Sequence, residues 1–222
     1  MASASKEKRF RLVCFDLDGT IIDNITNFWK FICEEHGCDM ARKQKARDSY
    51  FNNLITYDEW VEHDVNLWKE AGVTRRKMME STKKLSLVPG AVEALKELKK
   101  RGIKLGIISD SMDIALELIS NHAELFDEIF INRLLFDKEG KISGWKPTKY
   151  GMEKKADGLK RMAEKEGFDL KECVFVGDGV NDVHAAEIAG LSISFNSSSK
   201  ELDKVCDVVI RKKDLREILN YI

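Results

Sequence analysis

The 222-residue sequence predicts an α/β fold: a parallel sheet with helices on both faces, an all-helical insertion near its start and a small β-hairpin flap further on. Three observations carry that expectation. Short, nearly continuous apolar runs recur at residues 10–15, 103–108, 128–131, 173–176, 191–195 and 205–210, with helical patterns between several of them. Strands that are apolar on both faces belong to a sheet buried on both sides, as parallel sheets are. The alternation then fails from Asn24 to Leu87, about 60 residues, where an ordinary connection has about 4–6. Finally, Asp137-Lys138-Glu139-Gly140 separates two β-like runs within residues 132–149, the pattern of a hairpin.

Taken in order, residues 10–15 form the first strand. Inside the interruption, periodicity predicts helices over 25–36, 40–51, 57–71 and 75–85. Thr56 and Glu59 are spaced as a capping box ahead of the stripe Trp60, Val61, Val65 and Trp68. Pro89-Gly90 returns the chain to the sheet. Ala91, Val92, Ala94, Leu95 and Leu98 make an amphipathic stripe closed by Gly102, and 151–167 and 181–189 are similar in kind. Residues 1–23 and 87–222 are therefore expected to form a Rossmann-like core, and 24–86 a helical cap.

Composition excludes several classes. A net charge of -1 leaves no basic footprint for nucleic acid. No apolar run approaches the roughly 20 residues that span a bilayer, so no membrane partner is expected. Residues 1–9 lack an apolar h-region and read as a short disordered lead, not a secretory signal. The five cysteines (Cys14, Cys33, Cys38, Cys173 and Cys206) match no zinc or redox spacing, which suits reduced thiols and a cytoplasmic location. Oligomeric state is left open.

Four features carry chemistry. The first apolar run ends in Asp16-Leu17-Asp18-Gly19-Thr20. Reactive crevices of open α/β sheets lie at the strands' carboxyl ends, and alternation puts Asp16 and Asp18 on one side. Two carboxylates that close repel unless a cation sits with them, and a hard divalent ion suits oxygen ligands. The run 173–176 ends in Gly177-Asp178-Gly179-Val180-Asn181-Asp182, so Asp178 and Asp182 face the same crevice if the two strands are neighbours. Ser109 follows the run 103–108 and offers a hydroxyl. Lastly, a lysine precedes the strand at 173–176, with Lys149, Lys154 and Lys155 as the candidates.

In this order the four signatures resemble those of the haloacid dehalogenase superfamily, and Ile107–Ala115, Asn132-Arg133-Leu134 and residues 214–219 look like archaeal phosphoserine phosphatases. The resemblance selects Lys155, which stands 23 residues before Asp178. It implies a phosphatase of a small phosphomonoester, with Asp16 as nucleophile and Asp18 as general acid and then base. Mg²⁺ would be held by Asp16, the backbone carbonyl of Asp18 and Asp178, supported by Asp182. Ser109 and Lys155 would hold phosphate oxygens, with Gly179 and Asn181 near substrate and positions 110 and 25 bearing on specificity.

Three departures from that branch bear on the leaving group. Nine residues after Asp16, where the branch has a glutamate for the substrate amine, stands Ile25. The cap segment 59–64 contains no arginine for a substrate carboxylate, and Ser109-Asp110-Ser111 replaces Ser-Gly-Gly. Of the cap aromatics Phe28, Trp29, Phe31, Trp60 and Trp68, most are expected in the cap core, with one or two lining a pocket for a less polar, aromatic or cationic group. Two other readings stand beside the phosphatase: a phosphotransferase or mutase of the same chemistry acting on a sugar phosphate, and a non-catalytic scaffold. Retention of both Asp16 and Asp18 speaks against the scaffold.

Overall fold

The structure, a computed structural model, describes residues 10–222; the lead expected at 1–9 lies outside the described residues. The elements in chain order are β1 (Leu12–Phe15), α1 (Phe28–His36), α2 (Met40–Phe51), α3 (Tyr57–Glu70), α4 (Arg75–Thr82), α5 (Ala91–Lys100), β2 (Lys104–Met112), β3 (Glu128–Phe136), β4 (Ile142–Lys146), α6 (Lys155–Glu166), β5 (Cys173–Gly177), α7 (Val183–Ile188), β6 (Leu191–Phe195), α8 (Lys200–Val205) and β7 (Val208–Ile210). The seven strands make one sheet in the order β4-β3-β2-β1-β5-β6-β7. Every pairing is parallel except β3 with β4, which form the expected hairpin.

Period-two alternation divides β1 between two apolar layers. Val13 and Phe15 join Ala94, Leu95 and Leu98 of α5, while Leu12 and Cys14 pack with Leu159, Met162 and Ala163 of α6. The order of the sheet reverses at β1: the chain steps to β2 on one side and to β5 on the other. Such a switch point opens a crevice at the carboxyl ends of the strands.

The insertion is all-helical, and its two ends lie side by side. Ile22 bridges Leu87, and the Asp23 N–H donates to the Ser86 carbonyl at 2.8 Å. Each of α1 to α4 starts at a side chain that accepts from its first turn: Asn27, Asp39, Thr56 and Thr74. The Thr56–Glu59 capping box forms as the sequence indicates. Trp29 of α1 stacks on Trp68 of α3, with ring centroids 4.8 Å apart. The hairpin touches the cap as well, since Trp145 Nε1 donates to Glu62 of α3 at 2.7 Å.

Several boundaries differ from the sequence expectation. Helix α1 begins at Phe28 rather than 25, because Asn27 takes the cap. Helix α4 stops at Thr82 rather than 85, and Thr82 Oγ1 turns back to the Met79 carbonyl at 2.9 Å. Strand β2 continues past 108 to Met112, with an irregular register against β3 between Ile108 and Met112. The last apolar run, read as 205–210, divides: Val205 closes α8, which Ser199 caps, and only Val208–Ile210 is strand. The run of 3-10 turns at Asp113–Leu125 carries no helical period that the sequence reading recognised.

Candidate active site

The crevice at the tips of β1, β5 and β2 gathers the acidic motifs. Phe15 pairs with Val176, and the Asp16 N–H donates to the Val176 carbonyl at 3.0 Å. That register sets Asp16 beside the loop after β5. Carboxylate oxygens of Asp16, Asp178 and Asp182 all lie within 4.8 Å of one another. Gly19 makes this approach possible: its φ is 78°, and a Cβ there would stand 2.2 Å from Asp178 Oδ2. Thr20 Oγ1 donates to Asp178 Oδ1 at 3.1 Å.

Of the three candidate lysines, the structure brings only Lys155 into the crevice; Lys149 and Lys154 are exposed. Lys155 is fully buried, its Nζ 2.9 Å from Asp16 Oδ2 and 2.7 Å from Asp182 Oδ1. Burial alone would lower the pKa of its ammonium. The charges of Asp16, Asp182 and Asp110 outweigh burial and raise it well above the ordinary lysine value. Asp182 also accepts the backbone N–H groups of Asp178 (3.0 Å) and Gly179 (2.9 Å) through Oδ2, so both of its oxygens are committed to protein donors. The Asp178 carboxyl, by contrast, has Thr20 as its donor, and burial together with the charges of Asp16 and Asp182 pushes it up to about 8. Three carboxylates, two of them buried and Asp178 half-buried, stand against one lysine and are short of positive charge, and an all-oxygen set fits a hard divalent cation such as Mg²⁺.

Asp18 serves a different neighbourhood. Its Oδ2 accepts from the N–H of Phe28, the first residue of α1, at 2.6 Å, and its Oδ1 accepts from Ser111 Oγ at 3.1 Å. Burial first and the Asp16 charge second push its carboxyl up to about 7, against the pull of the Phe28 donor. Its side chain is thus tied to the cap, consistent with a metal contact confined to its backbone carbonyl.

Ser109 and Asp110 lie within the extended β2, two and three residues beyond the Phe15–Ile107 pair. Ser109 is fully buried, and its Oγ accepts from the Ser111 N–H at 3.2 Å. The Asp110 carboxyl is raised by burial; Lys155 opposes the shift, Asp16 adds to it, and the Asn181 side chain bonds to it. The Asp110 carbonyl accepts from Trp29 Nε1 at 2.9 Å and from Asn132 Nδ2 at 2.7 Å. Asn132 Nδ2 also meets Tyr57 Oη of α3 at 3.2 Å. Trp29 is therefore latched directly to the strand that carries Ser109, and Tyr57 is joined to it through Asn132 of β3.

Sequence reasoning missed the parts played by Thr20, Ser111, Asn132 and the N-terminus of α1. Thr20, Ser111 and Asn132 stood inside segments singled out for other residues, and the contacts they make cross from one element to another and leave no local signal. Sequence reasoning also missed the cap's buried cation. Segment 59–64 lacks an arginine, but its Asp64 is ion-paired with Lys43 of α2, and both are buried. Lys43 and Asp64 line a cavity of about 290 Å³ with Trp29, Tyr57, Trp60 and Asp110. Ile25 does not line it; that residue lies in a neighbouring cleft with Gly19, Asp178 and Lys213.

Residues 10–190 match the family model described as haloacid dehalogenase-like hydrolase. The chain belongs to that family. It is 34% identical over 217 residues to the phosphoserine phosphatase of Methanocaldococcus jannaschii, covering 97% of this chain and 99% of that one. A pyridoxal phosphate phosphatase of Homo sapiens is 27% identical over 190 residues, covering 78% and 75% of the two chains. A solved phosphoserine phosphatase with a phospho-aspartyl intermediate analogue aligns at TM-score 0.79 and 31% identity, over 97% of this chain and all of that one. Within the haloacid dehalogenase-like hydrolases this is a phosphoric monoester hydrolase of the phosphoserine phosphatase-like branch. No helix among its described residues is long and apolar enough to cross a membrane.

Proposed function

We propose that this hydrolase is a Mg²⁺-dependent phosphatase of a small phosphomonoester and works through a phosphorylated Asp16. The observation that carries the reading is the meeting of Asp16, Asp178 and Asp182 within 4.8 Å, with Lys155 beside them. Asp16, Asp178 and the Asp18 carbonyl would hold the ion, and Asp182 would fix Lys155 and the Asp178 loop. When bound, the cation neutralises phosphate charge that would otherwise repel a carboxylate. Residues 24–86 act as the cap over the crevice, and the five unpaired cysteines suit a reducing cytoplasm.

The remaining steps use the chain's own groups. Lys155 and Ser109 steady the phosphoryl oxygens, and Lys155 opposes their negative charge. An Asp16 oxygen forms a bond to phosphorus as the ester P–O bond breaks, and Asp18 gives its proton to the leaving oxygen. Water then attacks phosphorus, Asp18 takes its proton, and inorganic phosphate leaves with Asp16 restored. An acid near neutrality suits both halves, and Asp18 sits at about 7. Because Phe28 of the cap bonds Asp18, a seated α1 orients the acid.

Release of inorganic phosphate from p-nitrophenyl phosphate tests this reading. A chelator of divalent ions should stop release, and added Mg²⁺ should restore it. Release indifferent to chelator would remove the ion from the reaction.

A further inference from the structure

Asp178 stands on a stretch of chain that cannot aim a metal ligand unaided. Glycines flank it on both sides. A Cβ on Gly177 would lie 2.3 Å from Asp182 Oδ2, so the close approach of Asp182 requires glycine there, and the backbone loses stiffness as a result. The Asp178 carboxyl takes one side-chain donor among the described residues, Thr20 Oγ1 at 3.1 Å. Its direction therefore depends on the backbone that carries it, and that backbone is tied from two sides. Asp182 Oδ2 accepts the N–H groups of Asp178 (3.0 Å) and Gly179 (2.9 Å), but Asp182 belongs to the same loop. The Asp178 carbonyl accepts from Ser197 Oγ at 2.5 Å, and Ser197 comes from the segment that follows β6.

Ser197 is buried and is itself firmly held. Before it, Asn196 adopts a left-handed φ of 47°, which asparagine tolerates better than most residues, and donates its N–H to the Ile210 carbonyl of β7 at 2.7 Å. The Ser197 hydroxyl accepts the Ser199 N–H at 2.9 Å while it donates to Asp178. Its carbonyl accepts from Arg211 Nη1 at 2.8 Å. Arg211 is ion-paired with Asp203 of α8, which also accepts from Ser194 Oγ of β6 at 2.7 Å. A run of polar contacts thus joins the Asp178 peptide to β6, β7 and α8. Granted the cation of the proposed reaction, on which this step rests, we propose that Ser197 is a positioning residue for Asp178. Its hydroxyl holds the ligand in place before the ion arrives, and losing it weakens metal binding while sparing the phosphoryl chemistry of the filled site.

Mn²⁺ suits the same oxygen ligands as Mg²⁺ and can be followed without turnover. Titrating it into the full chain, with free ion read by electron paramagnetic resonance, gives a Kd. Ser197→Ala should raise that Kd about tenfold. Ser197→Thr keeps the hydroxyl and should recover most of the loss. At saturating Mg²⁺, both variants should release phosphate from p-nitrophenyl phosphate with the kcat of wild type. If Ser197→Ala fails to fold, as judged by its melt, Ser197→Cys, close in shape and a weak donor, decides in its place with a rise in the same direction. An unmoved Kd, an equal rise in Ser197→Thr, or a fall in kcat at saturating ion overturns the inference and leaves the metal site standing. A wild type that binds no Mn²⁺, or binding that survives Asp178→Ala, overturns the metal assignment as well.

Discussion

The floor of the crevice and the cap above it balance their buried charges differently. On the floor, Asp16, Asp178 and Asp182 crowd one another beside Lys155, and positive charge is what they lack. In the cap, Lys43 and Asp64 are buried together and answer each other's charge, beside the aromatic side chains Trp29, Tyr57 and Trp60. The floor is thus suited to a cation and a phosphoryl group, whereas the buried pair of the cap is already balanced within the protein. Strand tips fix the first, because parallel register sets where side chains stand. Helix packing fixes the second, through contacts between α1, α2 and α3 that can change without disturbing the sheet. The two arrangements therefore depend on different parts of the chain.

Substitutions that touch one region and spare the other sharpen that contrast. Asp18→Asn, at the junction of the two, should have the largest effect, a loss of roughly 10²–10⁴ in kcat, since an amide cannot pass a proton to the leaving oxygen. Steady-state assays on an activated and an unactivated ester would show it, with the smaller loss on the activated one. Lys155→Met should lower kcat by about 10²–10³. It also leaves Asp16 and Asp182 buried without their cation, at a cost to folding of about 3–5 kcal/mol, visible in denaturant melts. Trp29→Phe keeps the stack on Trp68 and loses the bond to the Asp110 carbonyl, worth about 1 kcal/mol. Kinetics should show that loss mainly in KM, which would place Trp29 with the cap and not with the floor. Ile25→Glu should change least: Ile25 lies outside the aromatic cavity, so a competition assay should show no gain on phosphoserine. A large gain there would blur the division.

The sequence was legible where chemistry is local. Asp16-Leu17-Asp18-Gly19-Thr20 and the loop from Gly177 to Asp182 each follow an apolar run, and both runs are strands that turn out to be neighbours. The all-helical insertion announced itself as a failure of strand alternation, and the helix at Met40–Phe51 matches its periodicity to the residue. Contacts between separate elements were not legible. Nothing in residues 59–64 reveals that Asp64 will find Lys43 of α2. Nor does Ser111 show in sequence that its hydroxyl will reach Asp18, 93 residues earlier. The 3-10 turns from Asp113 to Leu125 escaped because they lack the 3.6-residue period by which helices are recognised. Strand β2 was cut short at 108 because Ser109, Asp110 and Ser111 break an apolar run although the backbone stays extended.

Acid-quenching the enzyme during turnover of a labelled phosphomonoester, followed by peptide mass spectrometry, interrogates the floor most directly. One phosphoryl group should be found on the peptide bearing Asp16, absent from Asp16→Asn and absent when divalent ion is chelated. Label on another residue, or rapid phosphate release with no labelled protein at any quench time, would contradict Asp16 as the nucleophile.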